Sequence, residues 1–199
     1  MINETKKISL KNIDSKIITI QHAELISKWI DRLEITDELK NSYDFKLILR
    51  GSRDGFTPVK FHEICNNKSH TVSIIKVKSS DEILGGYNPI EWKNNNSIKY
   101  SYDATKDSFI FSFNDKFDIK NHILSRVLDE TYAIDNYLYY GPSFGALDLK
   151  IIGDSFNKCS RSSYEKLIRE TVDYFAIEEY EVFQIIKDHS CLNNQNNFE

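Results

Sequence analysis

The side chains with most chemical potential fall in a few short stretches of the 199-residue chain. His62-Glu63-Ile64-Cys65-Asn66 has the start of the zinc-protease pattern H-E-x-x-H, which sets two imidazoles on one helix face. Asn66 stands where the second histidine is needed, and His62 with Cys65 supplies only two ligands. Gly141-Pro142-Ser143-Phe144-Gly145 has the outline of a nucleophile elbow, but Pro142 precedes the serine and the elbow requires a parallel α/β setting. A nucleophile scheme on Ser52 fares no better in a pattern that lacks this setting. Residues 51–55, Gly-Ser-Arg-Asp-Gly, follow a strand and precede a helix as a phosphate loop does. Both glycine fingerprints are missing, as is the loop lysine, and Asp54 would repel phosphate. Glu178, Glu179 and Glu181 suggest paired carboxylates for glycoside hydrolysis, with Glu179 and Glu181 on one strand face. A solvated acidic face is the simpler reading of such close neighbours. His22 lacks a partner at ligand spacing and reads as solvated or capping. Residue chemistry alone therefore implies no catalytic residue, no cofactor and no metal.

Cys65, Cys159 and Cys191 are odd in number and far apart, unlike a disulfide framework. They suggest a reducing, intracellular and cytoplasmic setting, with a thiol scavenger or a cryptic enzyme such as a hydrolase, using Cys65 or Cys159, as the rival to a non-enzymatic reading. Hydrophobic residues make up 40% and aromatics 13%, enough for a packed, β-rich core. The formal charge of −4 argues against general nucleic-acid binding. Residues 40–78 carry eight Lys/Arg against three Asp/Glu, and residues 165–181 six acidic against two basic groups, a polarity that would steer a partner if it is not simply solvated surface. No apolar run approaches the roughly 18 residues of a membrane helix, so direct membrane insertion is not expected. The oligomeric state is left open.

The elements that must position these residues follow from periodicity. Leu25, Ile26, Trp29, Ile30 and Leu33 form one stripe of a helix over residues 20–33, with Thr19 as a cap. Residues 45–50 alternate as a strand, Phe45, Leu47 and Leu49 on one face and Lys46, Ile48 and Arg50 on the other. The 51–55 turn leads to Thr57-Pro58, an N-cap and first-turn proline opening a helix to about Asn66. Residues 71–78 and 83–89 read as a hairpin, in which Gly85-Gly86 marks a bulge or a close backbone approach. Trp92 reads as packing or as a partner contact. Polar loops are expected over 93–106 and again after the Phe109, Phe111, Phe113 stripe, with extended chain at 132–136 and a turn and strand at 139–151. Residues 155–170 read as a loop with a short helix, and 176–186 as a last strand near the middle of a sheet. Residues 1–14 read as a flexible leader or linker remnant, 15–187 as the domain and 188–199 as a disordered Asn-rich tail. The fold class is α+β, an antiparallel two-sheet β-sandwich flanked by helices.

Several of these pieces occur together in order: Leu47-Ile-Leu-Arg50-Gly-Ser-Arg-Asp-Gly55-Phe, Lys60-Phe-His, Leu84-Gly-Gly-Tyr87, Trp92, Asp107-Ser-Phe-Ile-Phe-Ser-Phe113, Gly141-Pro-Ser-Phe-Gly145, Asp148-Leu149 and Glu179-Tyr-Glu181-Val-Phe183. Over residues 17–186 the chain resembles the TLDc domain family. The resemblance implies a helix-flanked β-sandwich with no established catalytic reaction, linked to oxidative-stress resistance and to binding the vacuolar-type proton ATPase through its cytosolic sector. It places the family's characteristic glycines on Gly55, Gly85 and Gly145 as support for the binding surface, and its acidic position on Glu181. Arg50, Arg53 and Asp54 are candidate contacts at the 51–55 corner. Residues 145–148 are less glycine-rich than in many relatives, which affects the local surface. Recruitment to a vacuolar or lysosomal membrane would run through the partner. The domain often accompanies BTB, TBC or LysM units; none is seen here, and a substrate-recruiting scaffold would need a BTB-type module. Whether the chain stands alone or is a fragment stays open.

Overall fold

A computed structural model describes residues 12–93, 101–115 and 118–188. The expected leader and tail lie outside these residues apart from residues 12–14 and Asp188, and so does Cys191. Three helices come first or between early strands: α1 (Ile20–Ile30), α2 (Gly51–Asp54) and α3 (Pro58–Cys65). The strands are β1 (Ser42–Arg50), β2 (Thr71–Val77), β3 (Ile83–Asn88), β4 (Tyr102–Asp103), β5 (Phe109–Phe113), β6 (His122–Arg126), β7 (Ile134–Asp135), β8 (Ser143–Phe144) and β9 (Ile177–Asp188). All pairings between these strands are antiparallel. One sheet runs β1-β9-β2-β3-β5-β6 and the other β4-β7-β8, giving the helix-flanked β-sandwich. β9 sits between β1 and β2, as its two-sided apolar half implies.

The large sheet separates two cores. On one face α1 lays Trp29 over the stripe of Phe109, Phe111 and Phe113, its ring stacked on Phe113 at 5.7 Å between centroids. On the other, Leu84, Ile110 and Val182 meet α3 and the small sheet through Phe61, Ile134 and Phe144. Trp92 is fully buried in this second core and donates from Nε1 to Thr71 Oγ1 at 2.7 Å, so it is a packing residue.

Gly85 and Gly86 lie side by side in β3 without any register shift, so they mark a close approach and not a bulge. Because successive strand positions face opposite ways, each glycine opens one face. The Phe111 ring covers Gly85, where a Cβ would also come within 2.6 Å of the Ser73 carbonyl oxygen. The Phe144 ring of β8 covers Gly86, 2.6 Å from where a Cβ would stand.

Several expectations are corrected. α1 stops at Ile30 and not Leu33, because Arg32 takes a left-handed φ of 56° while Leu33 N–H bonds Lys28 O and Arg32 N–H bonds Trp29 O. This Schellman ending usually announces itself by glycine, which is absent here. Leu49 does not share a face with Phe45 and Leu47. The register shifts between Leu47 and Leu49, so Ile48 is an extra residue, and Leu49 turns into the core shared with α3. The loop expected after Phe113 contains β6, whose residues are mostly half-buried at the sheet edge. The helix expected within 155–170 is absent; short bridges join Lys150 to Lys158, Asn157 to Phe175 and Val127 to Tyr164. His22 caps but is not solvated: its Nδ1 accepts from Thr19 N–H, and its ring meets the Phe113 ring edge-on at 4.5 Å.

Replacing Gly86 with alanine should destabilise the fold by about 1–3 kcal/mol through overpacking against Phe144. The cost should shrink in a Phe144→Leu background, a coupling read from urea midpoints in a double-mutant cycle. Equal costs in both backgrounds would refute the ring-on-glycine account.

Candidate functional site

The corner after β1 gathers most of the predicted site residues. The extra residue at Ile48 sets Arg50 opposite Glu181 of β9, on the face crossed by the chain leading into α1. Glu181 is completely buried. Its Oε1 accepts from Arg50 Nε at 2.8 Å and Lys16 N–H at 2.9 Å, and its Oε2 from Ser15 Oγ at 2.5 Å. Ser15 Oγ in turn accepts from the N–H groups of Ile17 and Ile18 at 3.0 and 2.9 Å. Arg50 Nη2 completes the clasp by donating to the backbone oxygen and carboxylate of Asp14 at 2.9 and 2.8 Å. Arg50 Nε and Nη2 thus join two carboxylates, a geometry that lysine cannot copy.

Two residues earlier on the same face, Glu179 is 8% exposed and its Oε1 accepts from Ser52 N–H at 2.9 Å. The solvated acidic face expected for Glu179 and Glu181 is therefore corrected; only Glu178 of the three is exposed. The physical reason is local supply: backbone N–H groups, a serine hydroxyl and a guanidinium replace the water lost on burial. With both oxygens so occupied, Glu181 acts as a structural charge.

α2 is a single turn closed by Gly55 N–H to Gly51 O at 2.8 Å. Asp54 folds back to accept Arg50 N–H at 2.9 Å and pairs with Arg53 at 2.8 Å. The Arg53 side chain is half exposed, whereas that of Arg50 is only 12% exposed, so of the two Arg53 offers the corner's outward charge. Hydrogen bonds from Arg50 to Asp14, and from Arg53 to Asp54, hold both carboxyls below the usual carboxylate range.

The other site glycines lie apart from this corner in role. Gly55 takes φ 111° at the end of α2, where its carbonyl receives the Tyr180 hydroxyl at 3.4 Å. Gly85 lies under Phe111 inside the large sheet. Gly145 has φ 67°, and a Cβ there would run into the Asp148 carboxylate. That carboxylate is fully buried and accepts three backbone N–H groups, from Ser162, Ser163 and Tyr164 at 2.8, 2.8 and 3.0 Å. Gly145 leaves room for a carboxylate that fixes the loop beyond it.

His62 Nδ1 bonds Asn66 Oδ1 at 2.9 Å, so the residue occupying the second histidine's place serves the first. Among the described residues no group of three His, Cys, Asp or Glu side chains stands close enough to hold a metal. Sequence reasoning missed Asp14 and Ser15, which it assigned to the leader boundary. The signal was a serine two residues ahead of Ile17, whose hydroxyl collects the following N–H groups as Ser/Thr turns do.

Glu181→Ala should cost about 3–5 kcal/mol, since it leaves Arg50 without its buried partner. Amide exchange at Ile17 and Ile18 should accelerate, and Glu181→Gln should fall between; unchanged protection in Glu181→Ala would sink the clasp. The lowered carboxyls also set an acid response. Their folded pKa values lie below the unfolded value of about 3.9, so their stabilisation is full above that pH and is lost as pH falls through the folded values. Asp14→Asn should therefore flatten the fall of the urea midpoint between about pH 5 and pH 2; an unchanged slope would contradict this.

A family model described as the TLDc domain matches residues 11–186. No curated protein sequence matches the chain. The matched span runs from before α1 almost to the end of β9 and takes in both sheets, the Arg50–Glu181 clasp and all three site glycines, so the chain belongs to the TLDc domain family.

Proposed function

We propose that the chain is a non-enzymatic TLDc interaction module that serves oxidative-stress resistance by binding and regulating the vacuolar-type proton ATPase through its cytosolic sector. The observation that carries the reading is family membership over residues 11–186. The geometry supports it in kind. Glu179 and Glu181 hold the corner together, and Arg53 is left facing outward as a contact. Gly55 shapes the corner through a positive φ, whereas Gly85 and Gly145 are buried and support the surface from within, through a ring contact and a carboxylate contact. Among the described residues no helix is long and apolar enough to cross a membrane. Membrane contact in this reading runs through the partner.

The scavenger reading receives less support from the described thiols. Cys65 and Cys159 are buried, and burial pushes both thiols well above the ordinary cysteine range, away from the reactive thiolate.

Purified cytosolic sector of the proton pump should retain the wild-type chain in a pull-down. Arg53→Glu should lower the affinity on the order of tenfold, about 1.4 kcal/mol, and lower the melting temperature slightly through loss of the Asp54 pair, while Arg53→Gln should lower the affinity with a smaller change in melting. No retention of wild type, or undiminished retention of Arg53→Glu together with folded Gly55, Gly85 and Gly145 variants, would remove this surface. Peroxide consumption should be negligible with and without the three cysteines; a rate that depends on them would favour the scavenger.

A further inference from the structure

The bridge between Asn157 and Phe175 buries those two residues, so the positions beside them must face outward. Outward positions on such a strand pair ordinarily carry polar side chains. Here Phe156 is 67% exposed and Tyr174 64% exposed, with their rings 6.2 Å apart and edge-to-face. Ile152 and Val172 are exposed on the same two chain segments. The platform is held from beneath: Asn157 Oδ1 accepts from Ile152 N–H at 2.9 Å and its Nδ2 donates to Phe175 O at 3.1 Å. Two large aromatics on a fixed backbone lose little entropy on contact, which is why such pairs mark binding surfaces.

The charges beside the pair select the occupant. Asp154 and Asp173 are exposed on the two segments, and Glu170 and Glu178 are exposed further along. The basic groups nearby are fewer. Arg169 is occupied by Glu82 at 2.9 Å and lies over the Phe175 ring, and Lys158 is half-buried, so Lys78, paired through its backbone to Ala176, is an exposed lysine set against four exposed carboxylates. An acidic rim repels an anionic lipid surface and nucleic acid alike. It complements a protein segment that carries lysine or arginine around an aliphatic face.

We infer that Phe156 and Tyr174, with Asp154 and Asp173 beside them, form a docking surface for a basic amphipathic segment of a partner protein. The surface is independent of the partner proposed above, because it is defined by chemistry that a synthetic peptide can supply.

The test uses the full chain, isotopically labelled, titrated with an 18-residue amphipathic helical peptide of leucine and lysine. Leucine–glutamate peptide of the same pattern and phosphatidylcholine–phosphatidylserine vesicles serve as the other arms. The leucine–lysine peptide should shift amides within residues 152–158 and 172–178. Phe156→Ser with Tyr174→Ser should weaken its binding at least about tenfold without changing the melting curve, as loss of an aromatic anchor pair does. Asp154→Asn with Asp173→Asn should weaken it several-fold and blunt its salt dependence. Shifts elsewhere, equal binding of the leucine–glutamate peptide, undiminished binding by the aromatic double variant, or binding to vesicles in place of peptide would each overturn the proposal. Concentration-dependent self-association abolished by the aromatic double variant would overturn it too, by making a second copy the occupant.

Discussion

Two missing side chains set the thickness of this domain. At Gly85 and Gly86 the backbone of β3 is bare on both faces, and an aromatic ring rests on each: Phe111 from the neighbouring strand β5 and Phe144 from the small sheet. Phe111 fills the space on the α1 side, and Phe144 brings the small sheet down on the other. Close packing makes such a contact intolerant of even one added methyl group. The position of β8, and through the Phe144–Leu149 bridge that of the chain up to Asp148, is referred back to these two residues.

A second constraint works by charge. Glu181 is buried where hydrophobic contact alone would favour an apolar residue, and it is stable there because four groups from two other stretches of chain converge on it or on its partner. A buried pair of this kind adds little net stability over an apolar substitute, yet it is strict about which geometry satisfies it. Here that strictness joins the entry to α1, the end of β1 and the centre of β9. Asp148 does the same for the loop at residues 162–164.

Patterning was legible and produced most of the large sheet: alternation in the Phe109, Phe111, Phe113 stripe, two-sided apolar runs in the end of β9 and in β2, and a turn that pairs β2 with β3. The ordered motifs gave the family. What escaped were features in which one residue breaks a period or stands in for another. Arg32 ends α1 where glycine is the usual sign, and Ile48 shifts β1 without a glycine or proline to mark it. β6 has a polar sequence because it is an edge strand with one well-buried position. Residues 155–170 follow no period because single bridges and the Asp148 carboxylate hold them in place of a ladder. The burial of Glu179 and Glu181 was hidden because Ser52 N–H, Lys16 N–H and Arg50, which hold them, lie more than 120 residues away in sequence.

The extra residue at Ile48 works as a phase change. Before it, β1 is in step with the helix side of the sandwich; after it, odd and even positions have exchanged roles, so Leu49 reaches the inner core and Arg50 meets Glu181. Substitution can tune either half of the strand, but a change of length here transposes every side chain downstream to the opposite layer. Over evolution, β1 is therefore free to vary in spelling and bound in count.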